Sequence, residues 1–143
     1  MKVDFWQLSR DPVEKVVALI AQRVMDQGER LLVVSENAEH REAISRGLWK
    51  AGPESFLANG EASGPQPEAQ PILLSETPDP ANSASHVIYA DGTYRDASGF
   101  ARAFLLFDDA TVEQARATWR SLDEADVERA FFRQDGGKWV KVA

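Results

Sequence analysis

Short apolar runs alternate with longer stretches that carry apolar residues every three or four positions along the first fifty residues. Residues 3–8 and 30–35 have the short, apolar-rich pattern of β-strands. Helical spacing follows each of them, over 11–28 and over about 37–51, and a Gly-Pro pair ends the second helix. This strand, helix, strand, helix order predicts the beginning of a mainly parallel sheet.

The first and last helices both begin with residues typical of helix N-termini. Asp11 is predicted to be the N-cap of the first helix, with Pro12 at the first helical position and Glu14 completing a capping box. Thr111 and Gln114 form a second capping-box pattern ahead of the last helix. Local side chains are therefore expected to satisfy the first backbone N–H groups of both helices.

The second half of the chain contains further segments with a strand pattern. Strands are predicted over 71–75 and 86–90, and a closing hairpin over 127–133 and 138–142, joined by a Gly-Gly turn. Residues 100–107 fit either a strand or a helix, and their length and bulk favour a strand.

Residues 58–70 differ from the rest because Gly, Pro and small side chains dominate them. This composition predicts a mobile surface loop rather than a domain boundary, since too little chain remains on either side for two cores. We therefore expect one α/β domain over 1–143, with three layers, a mainly parallel sheet and a C-terminal hairpin.

Charge separates the middle of the chain from the remainder. The sequence has 16 basic and 23 acidic side chains, a net charge of −7, so the whole molecule is expected to repel nucleic-acid phosphates and anionic lipid. Residues 51–99 hold seven of these acids and one base, which leaves the remainder nearly neutral. A cationic surface outside this segment could therefore still bind an acidic partner.

Cysteine is absent, which excludes disulfides and thiol chemistry and fits a reducing compartment. The chain has no apolar run of about 18 residues, the length that a membrane span needs. Residues 1–10 also lack the basic and then apolar pattern of a leader. These features predict a cytoplasmic protein.

Residues that bind phosphate or metal in many parallel-sheet enzymes are missing. The turn after the first strand has no glycine, and it places Asp11 and Pro12 where a phosphate site needs free backbone N–H groups. The motifs GxGxxG, GxxxxGK[ST] and GxSxG do not occur. His40 and His86 lie far apart and have no matched ligand spacing. We therefore expect a binding protein without catalytic residues, cofactor or metal.

The last helix carries the first candidate binding surface. Arg116 and Arg120 are four residues apart and share a helix face, with Trp119 beside them. Guanidinium groups bind carboxylates through paired hydrogen bonds, so this group suits an acidic partner that also brings an aromatic ring. In the alternative interpretation, Glu113 and Glu124 pair with the arginines and Trp119 belongs to the core.

A second candidate surface lies at the end of the second predicted helix. Trp49 precedes the Gly-Pro stop and Phe56 follows it, where the chain leads into the predicted loop. Large rings that remain exposed at such a place mark a partner site. In the alternative interpretation both rings belong to the core.

Several segments together resemble the chi subunit of bacterial DNA polymerase III, a small accessory protein of the clamp loader. Their order and spacing extend the likeness over almost the whole chain. In sequence order they are VDFWQL at 3–8, GERLLV at 28–33, LW at 48–49, ESFLANG at 54–60, QPILL at 70–74 and ARATWR at 115–120.

The resemblance implies a Rossmann-like fold that has lost nucleotide binding, and a non-catalytic adaptor function. Members of the family bind the acidic, phenylalanine-ended C-terminal tail of single-stranded-DNA-binding protein. On another face they bind the psi subunit, which links them to the clamp loader. Direct DNA binding and membrane binding are not expected.

The likeness also implies which residues make these contacts. It assigns tail binding to Arg116, Trp119, Arg120 and Leu105. It assigns psi binding to Trp49 and Phe56. Val112 occupies the position of a further lysine of the family, which weakens the expected cationic surface.

Two other functions remain compatible with the residues alone. A nucleotide-binding regulator or enzyme on the same scaffold would have a pocket with convergent polar groups at the carboxyl ends of the strands. A generic oligomerising domain would self-associate through Trp49 and Phe56 and would ignore an acidic tail.

Overall fold

The centre of the fold is a mixed sheet in which nearly all neighbouring strands run parallel. The computed structural model describes residues 1–51, 57–123, 127–135 and 138–143. In chain order the strands are β1 (Lys2–Gln7), β2 (Leu31–Val34), β3 (Asn59–Glu61), β4 (Ile72–Ser75), β5 (His86–Tyr89), β6 (Arg102–Phe107), β7 (Glu128–Asp135) and β8 (Lys138–Lys141). Their order across the sheet is β3-β4-β2-β5-β6-β1-β7-β8, with only the β7–β8 pair antiparallel.

Helices cover both faces of the sheet. Helix α1 (Val13–Asp26) and helix α2 (Ala38–Trp49) bury their apolar sides in one core cluster. Helix α3 (Val112–Ser121) packs into a second cluster on the opposite face. Every residue of β2, β4 and β5 is buried, as expected for strands covered on both faces. The predicted three-layer α/β fold, the parallel sheet and the closing hairpin are confirmed.

Most predicted elements are present with shifts of a few residues at their ends. The ambiguous segment 100–107 forms β6, so the strand interpretation is confirmed. The predicted loop over 58–70 contains the edge strand β3 and a single 3₁₀ turn, Pro67–Ala69. The sequence pattern missed β3 because three residues are too few to establish an alternation.

Helix α1 begins without the predicted cap. Pro12 occupies the N-cap position and no side chain caps the helix. Instead Gln134 of β7 donates a hydrogen bond to the Asp11 carboxylate at 2.7 Å. The Gln134 side-chain oxygen accepts from the backbone N–H groups of Arg10 and Asp11 at 3.2 Å each. The prediction of Asp11 as N-cap is wrong because its carboxylate binds Gln134 instead. Gln134 lies 123 residues away in the sequence, so no local pattern indicates this contact.

Helix α3 also begins differently from the prediction. Thr111 is the N-cap residue by position, but its side chain makes no capping hydrogen bond. Asp108 instead caps the turn just before the helix: its Oδ1 accepts from the N–H of Ala110 at 2.9 Å and from that of Thr111 at 3.2 Å. The Thr111 hydroxyl accepts in return from the Asp108 N–H at 3.1 Å. The Thr111 and Gln114 capping box is therefore wrong, because an Asp three residues earlier already turns the chain.

Candidate functional site

Helix α3 presents the two predicted arginines to solvent. Arg116 donates a hydrogen bond from Nη1 to Glu113 Oε1 at 2.8 Å, and the two side chains are 59% and 78% exposed. An ion pair this exposed contributes little free energy, so it competes weakly with an incoming carboxylate. Arg120 is exposed and pairs with no carboxylate of the described residues. Glu124, the acid that could pair with Arg120 in the alternative interpretation, lies outside the described residues.

Trp119 lies between the core and this surface. Its half-buried ring makes edge contacts with Phe5 of β1 at 5.0 Å and with Phe131 of β7 at 6.1 Å, between ring centroids. The Arg129 guanidinium carbon lies 4.5 Å from the indole centroid. Arg129 also donates to the Trp119 carbonyl and pairs with Asp123 at 2.6 Å. Trp119 is thus a core residue that still reaches the surface.

Leu105 lies under this surface rather than on it. It is fully buried in β6, next to Phe5 in the sheet register, and belongs to the same core cluster as Trp119. Direct contact with a partner would require the side chains above it to move. The wall that the resemblance places at Leu105 therefore supports the surface from below in this structure, and its contact with a partner stays a prediction.

Val112 is the first residue of α3 and is half-buried against the second core cluster. At the position where the resemblance leads one to expect a lysine, this chain therefore has a side chain that packs against the core. The cationic character of the surface rests on the arginines.

Strand β7 adds residues that the sequence interpretation missed. Side chains alternate between sheet faces, so Arg129, Phe131 and Arg133 share the face that α3 covers. We name the surface formed by Arg116, Trp119, Arg120, Arg129, Phe131 and Arg133 the arginine surface. The signal was present as the alternation of Arg and Phe over 129–133, but assigning its face requires knowing that β7 pairs with β1.

The second candidate surface is only partly described. Trp49, the last residue of α2, is 60% exposed. Phe56 lies outside the described residues. Trp49 is therefore accessible to a partner. That Trp49 and Phe56 form one surface stays a prediction.

A crevice of about 290 Å³ lies at the carboxyl ends of the strands, where many proteins of this architecture bind nucleotides. Its lining includes Asp91, Asp108 and the hydrogen-bonded pair of Ser35 Oγ and His40 Nδ1, 2.8 Å apart. The carboxylates of Asp91 and Asp108 would repel an anionic ligand in this crevice.

Both crevice carboxylates already have partners inside the protein. Burial favours the neutral form of Asp91, but hydrogen bonds from Arg95 and from the Glu36 N–H outweigh it and lower the pKa of Asp91. Asp108 accepts hydrogen bonds from the backbone N–H groups of Ala110 and Thr111, in the turn that leads into α3. Both groups therefore serve the architecture of the crevice rim.

Metal ligands and membrane-spanning elements were also sought in the described ranges. Within residues 1–51, 57–123, 127–135 and 138–143, no three His, Cys, Asp or Glu side chains are grouped to hold a metal ion. In the same part of the chain, no helix combines the length and apolar character needed to span a membrane.

Comparison with known proteins identifies the family. A parallel α/β sheet with an arginine-rich surface on one face is shared by proteins of many functions, so the fold alone does not decide. A family model for the DNA polymerase III chi subunit, HolC, matches residues 1–129. The chain therefore belongs to this family of DNA polymerase III accessory subunits. A search of curated proteins found no match.

Proposed function

We propose that this protein is a non-catalytic, single-domain adaptor that acts in the cytoplasm during DNA replication. It links the clamp loader, through the psi subunit, to single-stranded-DNA-binding protein by holding the acidic, phenylalanine-ended tail of that protein. Membership of the chi family supports the replication role. The tail contact and the psi contact are specific hypotheses that rest on two separate surfaces.

The observation that carries the tail hypothesis is the arrangement on α3. Arg116 and Arg120 are both exposed one helical turn apart, and Trp119 reaches the surface between them in sequence. Each guanidinium can bind a carboxylate through two hydrogen bonds. The partly exposed ring of Trp119 offers apolar contact to a terminal aromatic ring. An acidic peptide that ends in phenylalanine supplies both chemistries.

The overall charge of the chain supports the same mechanism. A net charge of −7 disfavours direct binding to DNA phosphates. Contact with coated single strands then proceeds through the tail, which meets a locally cationic surface. Added salt is expected to weaken the complex because these arginines are exposed.

The test is a calorimetric titration of the full chain with a synthetic acidic peptide that ends in phenylalanine. Arg116→Ala is expected to weaken binding about tenfold, the effect of losing one charged hydrogen-bond pair. Arg46→Ala is the matched control, because Arg46 is also 59% exposed in a helix and paired with an acid, Glu42, at 3.1 Å. Equal affinities of wild type and Arg116→Ala would contradict the tail assignment.

The psi contact is tested separately through Trp49. Trp49→Ala removes a ring that is 60% exposed, so it is expected to abolish association with a psi subunit while peptide binding is retained. Co-purification with psi, alongside the peptide titration, measures both. Retained psi association would contradict the assignment, and loss of both activities would point to a folding defect.

A further inference from the structure

The C-terminal hairpin continues the arginine surface beyond α3. In the register of β7 and β8, Arg133 lies opposite Val140. Beyond the end of β8, the Val142 N–H donates to the Phe131 carbonyl at 2.8 Å, and the Phe131 N–H donates to the Ala143 carbonyl at 3.2 Å. Val142 and Ala143 together therefore lie opposite Phe131, as in a β-bulge. Residues opposite each other in an antiparallel pair point to the same face. Val140 and Val142 therefore share the α3 side of the sheet with Phe131 and Arg133.

These two valines are exposed, at 41% and 46%. The pairing places Val142 opposite the half-buried Phe131 and Val140 diagonal to it, and the Phe131 ring contacts Trp119. An apolar strip thus runs from the indole to the hairpin, with Arg129 and Arg133 beside it on β7. Exposed apolar side chains bordered by cations suit a ligand that combines a ring with carboxylates.

The opposite face of the hairpin is anchored in the core. Trp139 packs against Trp6 with ring centroids 4.6 Å apart, and Phe132 packs against the same ring at 5.3 Å. The hairpin is therefore held in place independently of any partner. A surface fixed in advance loses less entropy when a ligand binds.

We propose that the β7–β8 hairpin forms the second wall of the tail-binding site, with Arg133 binding a peptide carboxylate and Val140 and Val142 contacting the peptide's apolar end. This inference rests on the proposed function. It extends the site past the family match, which ends at residue 129. Arg133 lies four residues beyond Arg129, which stacks on Trp119, and this is about 13 Å along a strand. A peptide that extends from the indole to Arg133 therefore needs about four extended residues.

Acidic side chains around this wall set its charge balance. Asp123 forms an ion pair with Arg129 at 2.6 Å, and Glu113 forms one with Arg116 at 2.8 Å. Asp135 lies opposite Lys138 at the end of the hairpin and shares the face of Arg133. Arg133 itself pairs with no carboxylate of the residues described. Its guanidinium therefore has its hydrogen-bond donors available for a ligand.

The test titrates the full chain with the acidic, phenylalanine-ended peptide and with the same peptide lacking the terminal phenylalanine. Arg133→Ala is expected to weaken binding of the complete peptide about tenfold. Val142→Asp is expected to weaken it at least as strongly, because it replaces apolar contact with repulsion. Lys141→Ala is the matched control, since it removes one positive charge from the opposite face of the hairpin.

The outcomes separate the two hypotheses. Weakening by Arg133→Ala and Val142→Asp, with Lys141→Ala unchanged, supports the hairpin wall. Weakening by Arg116→Ala alone overturns the hairpin wall and leaves the tail hypothesis intact. Equal weakening by Arg133→Ala and Lys141→Ala reduces the effect to net charge and also overturns it. A wild-type protein that does not bind the peptide overturns both.

Discussion

Trp49 and Trp119 lie near the C-terminal ends of α2 and α3, and they differ in how the protein uses them. Trp49 is 60% exposed and lies outside both core clusters. Trp119 packs against Phe5 and Phe131 and has the Arg129 guanidinium 4.5 Å from its centroid. Among the residues that the structure describes, the Trp49 ring is exposed and belongs to neither core cluster, whereas the Trp119 ring contributes to the core and also reaches the surface.

This difference decides what a substitution at each ring can report. A largely exposed ring can be removed with little effect on folding, so its loss mainly reports on binding. A ring inside the core mixes stability with binding, so its role at the surface has to be measured through its exposed neighbours. The arginines are for this reason better probes of the tail site than Trp119.

The largest expected effect compares the two tryptophans directly. Trp119→Ala is expected to lower the free energy of unfolding by about 3 kcal/mol, because it leaves a cavity against Phe5 and Phe131. Trp49→Ala is expected to change it by less than about 0.5 kcal/mol, as an exposed substitution. Urea unfolding of both variants measures the difference. Equal losses would mean that Trp49 also supports the fold.

The next largest effect on stability is expected from Arg129, whose guanidinium stacks on the Trp119 indole. Arg129→Ala removes the stacking on Trp119, the hydrogen bond to its carbonyl and the pair with Asp123, so a loss of about 1.5 kcal/mol in stability is expected. Arg116→Ala removes only an exposed pair and should stay within about 0.5 kcal/mol. Thermal or urea unfolding distinguishes the two.

Arg129→Lys adds a control for geometry. A lysine keeps the charge but lacks the planar fork that stacks and donates at once. It is therefore expected to recover only part of the lost stability. Full recovery by lysine would show that charge alone holds the ring.

The order of elements could be predicted from the sequence because each depends on local pattern. The spacing Val16, Val17, Ile20 and Val24 defines the buried side of α1, and the continuous apolar run over 31–34 is β2. Neither requires information from a distant part of the chain. The arginines on α3 were predictable for the same reason, since a spacing of four places them on one face.

Three of the differences between prediction and structure involve distant partners or depth. The side chain of Gln134 in β7 accepts hydrogen bonds from the backbone N–H groups just before α1. No local sequence pattern predicts this contact. The likeness assigns Leu105 to tail binding but gives no information on its depth, and strand pairing with β1 together with the packing of α3 buries it completely. Its contact with a partner stays a prediction. Arg133 was overlooked because its face depends on the register of β7.

The smallest effect tests whether the departure at Val112 limits the tail site. Val112→Lys places a cation one turn before Arg116 and is expected to strengthen binding of the acidic peptide about threefold, since an exposed charge contributes modestly. Val112 is half-buried and begins α3, so lost packing and an unfavourable cation at a helix N-terminus should lower stability slightly. Val112→Met, which keeps an apolar side chain, is the control, and the titration is repeated at high salt. If lysine and methionine leave the affinity equally unchanged, the carboxylates of the peptide do not reach the first turn of α3, and the site lies toward Trp119 and the hairpin instead.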